Sequence, residues 1–89
     1  MSYECHITTA VKDSEMCEKI AESHGWKTSE IKRDPILGDD SHFYLTCHTR
    51  DFMEMLEKMR NTAQRLEACG VKVLRQKIEH IIYDSRTAK

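Results

Sequence analysis

Eighty-nine residues suffice for one domain with a modest core and exclude a second. Lys and Arg (14) nearly balance Asp and Glu (15), leaving a net charge of −1, which argues against a dedicated nucleic-acid binder. No stretch approaches the roughly 20 apolar residues of a membrane-spanning helix, and with three glycines and one proline the composition favours regular structure over disorder.

Met1-Ser2-Tyr3-Glu4 carries neither the basic start nor the apolar run of an export signal. Cys5, Cys17, Cys47 and Cys69 are far apart, with no CxxC pair. Reduced thiols in a cytoplasmic protein are therefore expected. Tyr3 to Thr9 alternates, with Tyr3, Cys5 and Ile7 on one side and Glu4, His6 and Thr8 on the other, the period of a half-buried strand. Asp13 then stands as an N-cap with Glu15 in the first turn. Met16, Cys17, Ile20, Ala21 and His24 form one helical stripe, closed by Gly25.

Trp26 to Arg33 reads as an edge strand blunted by lysines and glutamates. Asp34-Pro35 and Gly38-Asp39-Asp40-Ser41 supply turn chemistry around Ile36-Leu37. His42 to His48 gives the clearest alternation, Phe43, Leu45 and Cys47 opposing His42, Tyr44, Thr46 and His48. Asp51 and Glu54 have capping-box spacing. Phe52, Leu56, Met59, Ala63 and Leu66 form a second stripe, ended by Gly70. Val71 to Tyr83 is the last strand. Val73 and Ile78 differ in parity, so placing both against the helices requires a bulge near Arg75-Gln76. Residues 1–84 make the domain, and 85–89 a polar tail.

The order strand, helix, strand, strand, helix, strand, with right-handed crossovers, predicts an α+β, ferredoxin-like βαββαβ sandwich. Its four-stranded antiparallel or mixed sheet carries two helices on one face. In this reading the first and third strands are central, parallel neighbours, the fourth flanks the first, and the second flanks the third. A helix-swapped dimer of the same elements is the rival.

The sheet face away from the helices is the candidate site. Parity sends His6, Thr8, Tyr44, Thr46, His48, Lys77 and Glu79 to it, beside Glu4. Two histidines, hydroxyls, a lysine and a carboxylate suit anion binding or acid–base work, whereas a merely solvated outer face would splay the same side chains into water. Cys5, His6, Cys47, His48 and His80 are candidate metal ligands, but no metal is expected. Cys5 and His6, or Cys47 and His48, point to opposite faces and cannot share a tetrahedral site, and His6 with His48 leaves only two nitrogens, plus Glu79 at best. Cys5 and Cys47 are expected to be packed thiols, and His24 to complement the end of its helix. RNA-recognition modules need stacking aromatics on the central strands and a basic surround. Here only Tyr44 is offered, and Arg60, Arg65, Lys72, Arg75 and Lys77 are interleaved with Glu57, Glu67 and Glu79.

His6-Ile7-Thr8 resembles one half of the HxT signature of two-histidine phosphoesterases, in which paired histidines act as acid and base on a phosphate ester. The second segment, Thr46-Cys47-His48, runs in reversed order, and the two lobes of that family need a longer chain or a dimer. Over nearly the whole chain, Glu4-Cys5-His6-Ile7-Thr8, Phe43 to His48, Lys77-Ile78-Glu79 and Tyr83-Asp84-Ser85-Arg86 resemble a set of small uncharacterised phage and bacterial proteins. That resemblance implies no activity, cofactor or catalytic residue.

The leading expectation is a small binding or interaction module without a cofactor, acting on a protein or small-molecule partner. It uses the polar face or the Asp34 to Ser41 loop. The alternative is a small enzyme working through His6 and His48, and a third reading is an adaptor whose partner covers Ile36-Leu37. Apolar Ile78, Ile81, Ile82 and Tyr83, together with two open sheet edges, point to a homodimer.

Overall fold

A computed structural model describes residues 2–31 and 42–82. The chain runs β1 (Ser2–Ala10), a 3₁₀ turn (Val11–Asp13), α1 (Ser14–His24), β2 (Lys27–Ile31), β3 (His42–Thr49), α2 (Phe52–Ala68) and β4 (Val73–Ile81). The strands form one sheet in the order β2-β3-β1-β4 with every neighbouring pair antiparallel. The protein is thus α+β, with a four-stranded antiparallel sheet and two helices, compatible with a ferredoxin-like arrangement.

β4 flanks β1 and β2 flanks β3, as expected. The expected parallel pairing of β1 with β3 is overturned: Cys5 opposes Cys47 and Ile7 opposes Leu45 in an antiparallel ladder. The reason is topological. β3 runs antiparallel to β2, so a β1-α1-β2 crossover that keeps β1 and β2 parallel leaves room for β3 between them only as an antiparallel strand.

The core lies between sheet and helices. Cys5, Ile7, Phe43, Leu45 and Cys47 meet Cys17, Ile20 and Ala21 of α1 and Met55, Met59, Ala63 and Leu66 of α2. The expected stripes hold in their middles, with Cys17, Ile20 and Ala21 of α1 and Met59, Ala63 and Leu66 of α2 buried, but differ elsewhere. Met16 and Phe52 are exposed, His24 lies on the exposed side, and Leu56 is half-buried. The buried face of α2 is Met55, Met59, Thr62, Ala63 and Leu66. Thr62 enters it because its hydroxyl has a buried partner, the Trp26 indole N–H, 3.0 Å away.

Local chemistry sets the helix ends. Asp51 caps α2, its Oδ1 accepting the Glu54 amide at 3.0 Å. Asp13 precedes α1 without a side-chain cap bond. The His24 ring meets the Ile20 carbonyl at 2.9 Å, and Gly25 and Gly70 end the helices with φ of 77° and 85°, left-handed values that favour glycine.

In β4 the ladder with β1 shifts between Thr8 and Thr9: Thr8 faces Arg75, Thr9 faces Val73, and Leu74 is the extra residue. The bulge sits just ahead of the expected Arg75-Gln76. It lets Val73 and Ile78 both pack against the core. β4 is shorter than expected, and Ile82 beyond it is 87% exposed. Among the described residues no helix is long and apolar enough to cross a membrane. The Asp34 to Ser41 turn region and the polar tail lie outside the described residues.

Candidate functional site

On the sheet face away from the helices, the registers align side chains in rows. Lys27, Thr46, His6 and Lys77 make one row, and Ser29, Tyr44, Thr8 and Arg75 the next. Glu4 opposes His48 on one side and Glu79 on the other. Two carboxylates directly opposite one another destabilise a sheet unless compensated, and compensation is what the surrounding side chains supply.

His6 is the centre. Its Nδ1 meets the Thr46 hydroxyl at 3.1 Å, and its Nε2 stands 3.4 Å from Glu4 Oε1 and 3.7 Å from Glu79 Oε1. His48 Nε2 reaches the same Glu4 oxygen at 3.5 Å. The two imidazole Nε2 atoms are therefore no further apart than the sum of their distances to that oxygen. These ion contacts are longer than a good N–H···O hydrogen bond. One proton arrangement serves every group: the Thr46 hydroxyl donates to Nδ1, and Nε2–H is directed at the carboxylates. The His6 and Tyr44 rings meet edge-on, 6.4 Å between centroids.

Lys77 closes the network by donating to Glu79 Oε1 at 2.8 Å. That hydrogen bond holds the Glu79 carboxyl below its usual range, opposed by slight desolvation and helped by the charge of Lys77. The His6 and Glu4 side chains are each 23% exposed, against 50% for His48 and 49% for Glu79. His6 is thus held from several sides, while His48 and Glu79 form the accessible rim.

No family, curated protein or solved structure matches this chain. The site therefore rests on its own geometry.

Of the seven residues singled out from the sequence, His6, Tyr44, Thr46, Lys77 and Glu79 contact one another directly or through His6, and His48 joins them through Glu4. Thr8 does not offer itself to a ligand: it is 1% exposed despite its outward parity, as His42 is at 7%. Glu4 is the residue that sequence reasoning left out of the site. Its parity was visible, but its position between two imidazoles depends on registers that alternation does not supply. Lys27, Ser29 and Arg75 share the face for the same reason.

Among the described residues no group of three or more His, Cys, Asp or Glu is placed to hold a metal ion. His80 pairs with Tyr3 on the helix side, the rings stacked at 4.9 Å.

Proposed function

We propose that this protein is a small binding module that takes an anionic ligand, carrying a phosphate or carboxylate group, on its polar sheet face. The observation that carries the reading is the clamping of His6 at both ring nitrogens by Thr46, Glu4 and Glu79. With both ring nitrogens engaged, His6 is a fixed centre of the face rather than a free donor. The Tyr44 hydroxyl, Lys27, Lys77 and Arg75 around it supply the donors, and such pre-organisation lowers the ordering cost of binding. Around it the rows of Thr46 and Tyr44 are rich in hydroxyls and bordered by Lys27 on one edge and Lys77 and Arg75 on the other. Neighbouring strands lie about 4.8 Å apart, so one small ligand spans the row from Thr46 to Lys77. Glu4 and Glu79 form the neighbouring row with His48, where they orient His6 and repel an anion from the His48 side.

The same reading includes a ferredoxin-like fold, in which the bare sheet face is the natural place for a ligand. It also includes a cytoplasmic setting, in keeping with four free cysteines, and a homodimer, in keeping with the exposed β2 edge and Ile82. An acid–base enzyme is the second reading, favoured by the chain Thr46–His6–Glu4, in which a hydroxyl, an imidazole and a carboxylate follow one another as in relay sites.

The test is titration of the full chain with inorganic phosphate, followed by ring and amide NMR resonances against chloride at matched ionic strength. Saturable shifts confined to His6, Tyr44, Thr46 and Lys77, lost in Lys77→Ala, are expected. Shifts identical in phosphate and chloride would refute anion binding at this face. Turnover of a model phosphate ester, abolished by His6→Ala, would favour the enzyme reading.

A further inference from the structure

The helix side of the sheet carries a feature that the polar face does not use. Cys5 and Cys47 are direct partners across the two central strands, both face the core, and both are free thiols. Directly opposed residues of an antiparallel pair have Cα atoms about 4.5 or 5.5 Å apart, inside the roughly 4.4–6.8 Å that a disulfide accepts. Their Cβ atoms lie about 4.5–5.5 Å apart before any bond forms, against a mean of about 3.8 Å in disulfides. Closing the bond therefore draws β1 and β3 together at this point.

We propose that Cys5 and Cys47 form a reversible thiol–disulfide couple, oxidised by a low-molecular-weight disulfide such as oxidised glutathione. Cys47, the less deeply buried of the two, attacks one sulfur of that disulfide as thiolate. The old S–S bond breaks and one small thiol leaves, taking up the proton Cys47 gave up. Cys5 then attacks the Cys47 sulfur of the mixed disulfide, and the second small thiol leaves with the Cys5 proton. The protein loses two electrons and two protons, and the oxidant is reduced to two thiols.

Two surroundings shape the rate. Burial pushes the Cys5 thiol up to about 12, with Cys47 as the next cause, so the closing step is slow while α2 covers the pair. Transient opening of the sheet under α2 admits the oxidant, and the couple answers sustained rather than momentary oxidation. Cys17 is held apart, its Sγ 3.3 Å from the Thr9 hydroxyl, and its thiol is likewise raised by burial.

The pair is also coupled to the opposite face. The next rung of the same ladder is His6 and Thr46, whose side chains meet at 3.1 Å. Tightening the strands at Cys5 and Cys47 shifts that rung. This coupling concerns the position of His6 and does not depend on what the face binds.

The experiment uses the full chain with the exposed Cys69 changed to Ser, incubated with oxidised glutathione, quenched in acid and read by intact mass and peptide mapping. A species lacking two hydrogens, free of glutathione and linking Cys5 to Cys47, is expected. It should revert with dithiothreitol and carry a shifted His6 ring resonance. The link should survive Cys17→Ala. If that variant folds poorly, mapping of the Cys69→Ser chain itself identifies the partners. The proposal is overturned if no link forms either in native buffer or in denaturant just below the unfolding midpoint. Linkage through Cys17, or stable glutathione adducts in place of the link, would overturn it equally, and an unshifted His6 resonance in the linked protein would remove the coupling.

Discussion

Replacing Thr62 by Val keeps the shape of a fully buried side chain and deletes the acceptor of the Trp26 indole N–H. Trp26 is itself buried and the bond is 3.0 Å long. No water reaches the site readily, so the N–H is left unsatisfied, which costs about 1–3 kcal/mol rather than the smaller net value of a typical hydrogen bond. Val adds no cavity, so no volume term enters. In a domain of this size each kcal/mol lowers Tm by about 4–8 °C, a shift well resolved by circular dichroism. Urea titration at constant slope gives the same quantity independently. A double-mutant cycle with Trp26→Phe separates the hydrogen bond from the packing, because in the Phe background no indole N–H remains to be stranded. Thr62→Val should then be nearly neutral in that background. Equal losses in both backgrounds would show that the hydroxyl acts through something other than Trp26, and the reasoning would fail.

Three further outcomes are expected. Lys77 lowers the Glu79 carboxyl below its unfolded value, so its contribution is present above the unfolded carboxylate range and is lost as pH falls through the folded value. Acid titration of Glu79→Gln should therefore show a shallower loss of stability below pH ~4.5 than the parent, by only a few tenths of a kcal/mol, since both side chains are well exposed. His6→Ala, which removes a half-buried ring and strands Thr46, should cost about 1 kcal/mol, and His48→Ala under about 0.5 kcal/mol, both read from denaturant midpoints. Gly70→Ala meets nothing within 4 Å, so its cost of about 1–2 kcal/mol is purely that of holding a left-handed backbone, and a neutral result in thermal melts would contradict it.

Much of the strand layout was legible because a period of two needs no partner to be seen. Cys5, Ile7, Phe43, Leu45 and Cys47 turned inward as their alternation required. The helices were harder. Met59, Ala63 and Leu66 fit either stripe, so whether Phe52 and Leu56 or Met55 and Thr62 complete it depends on where the sheet approaches α2 and on the indole that makes Thr62 welcome inside. Strand direction was misread, because alternation carries no sense of up or down and only the ladder registers supply it. The site followed the same division. Parity put Glu4, His6 and His48 on one face, but that the Glu4 carboxylate lies between the two imidazoles depends on the β1–β3 register, which sets Glu4 directly opposite His48.

The bulge in β4 has a consequence for how this chain tolerates changes of length. Elsewhere in a strand, losing one residue turns every side chain beyond it to the wrong face. At Leu74 the opposite holds, because Val73 and Arg75 already oppose the adjacent Thr9 and Thr8. Removing Leu74 would join them in an unbroken ladder, leaving Ile78 against the core and Lys77 and Glu79 beside His6. The strand thus carries one spare residue at a defined point, and a shortened chain that folds and keeps its His6 resonance in place would show it to be dispensable.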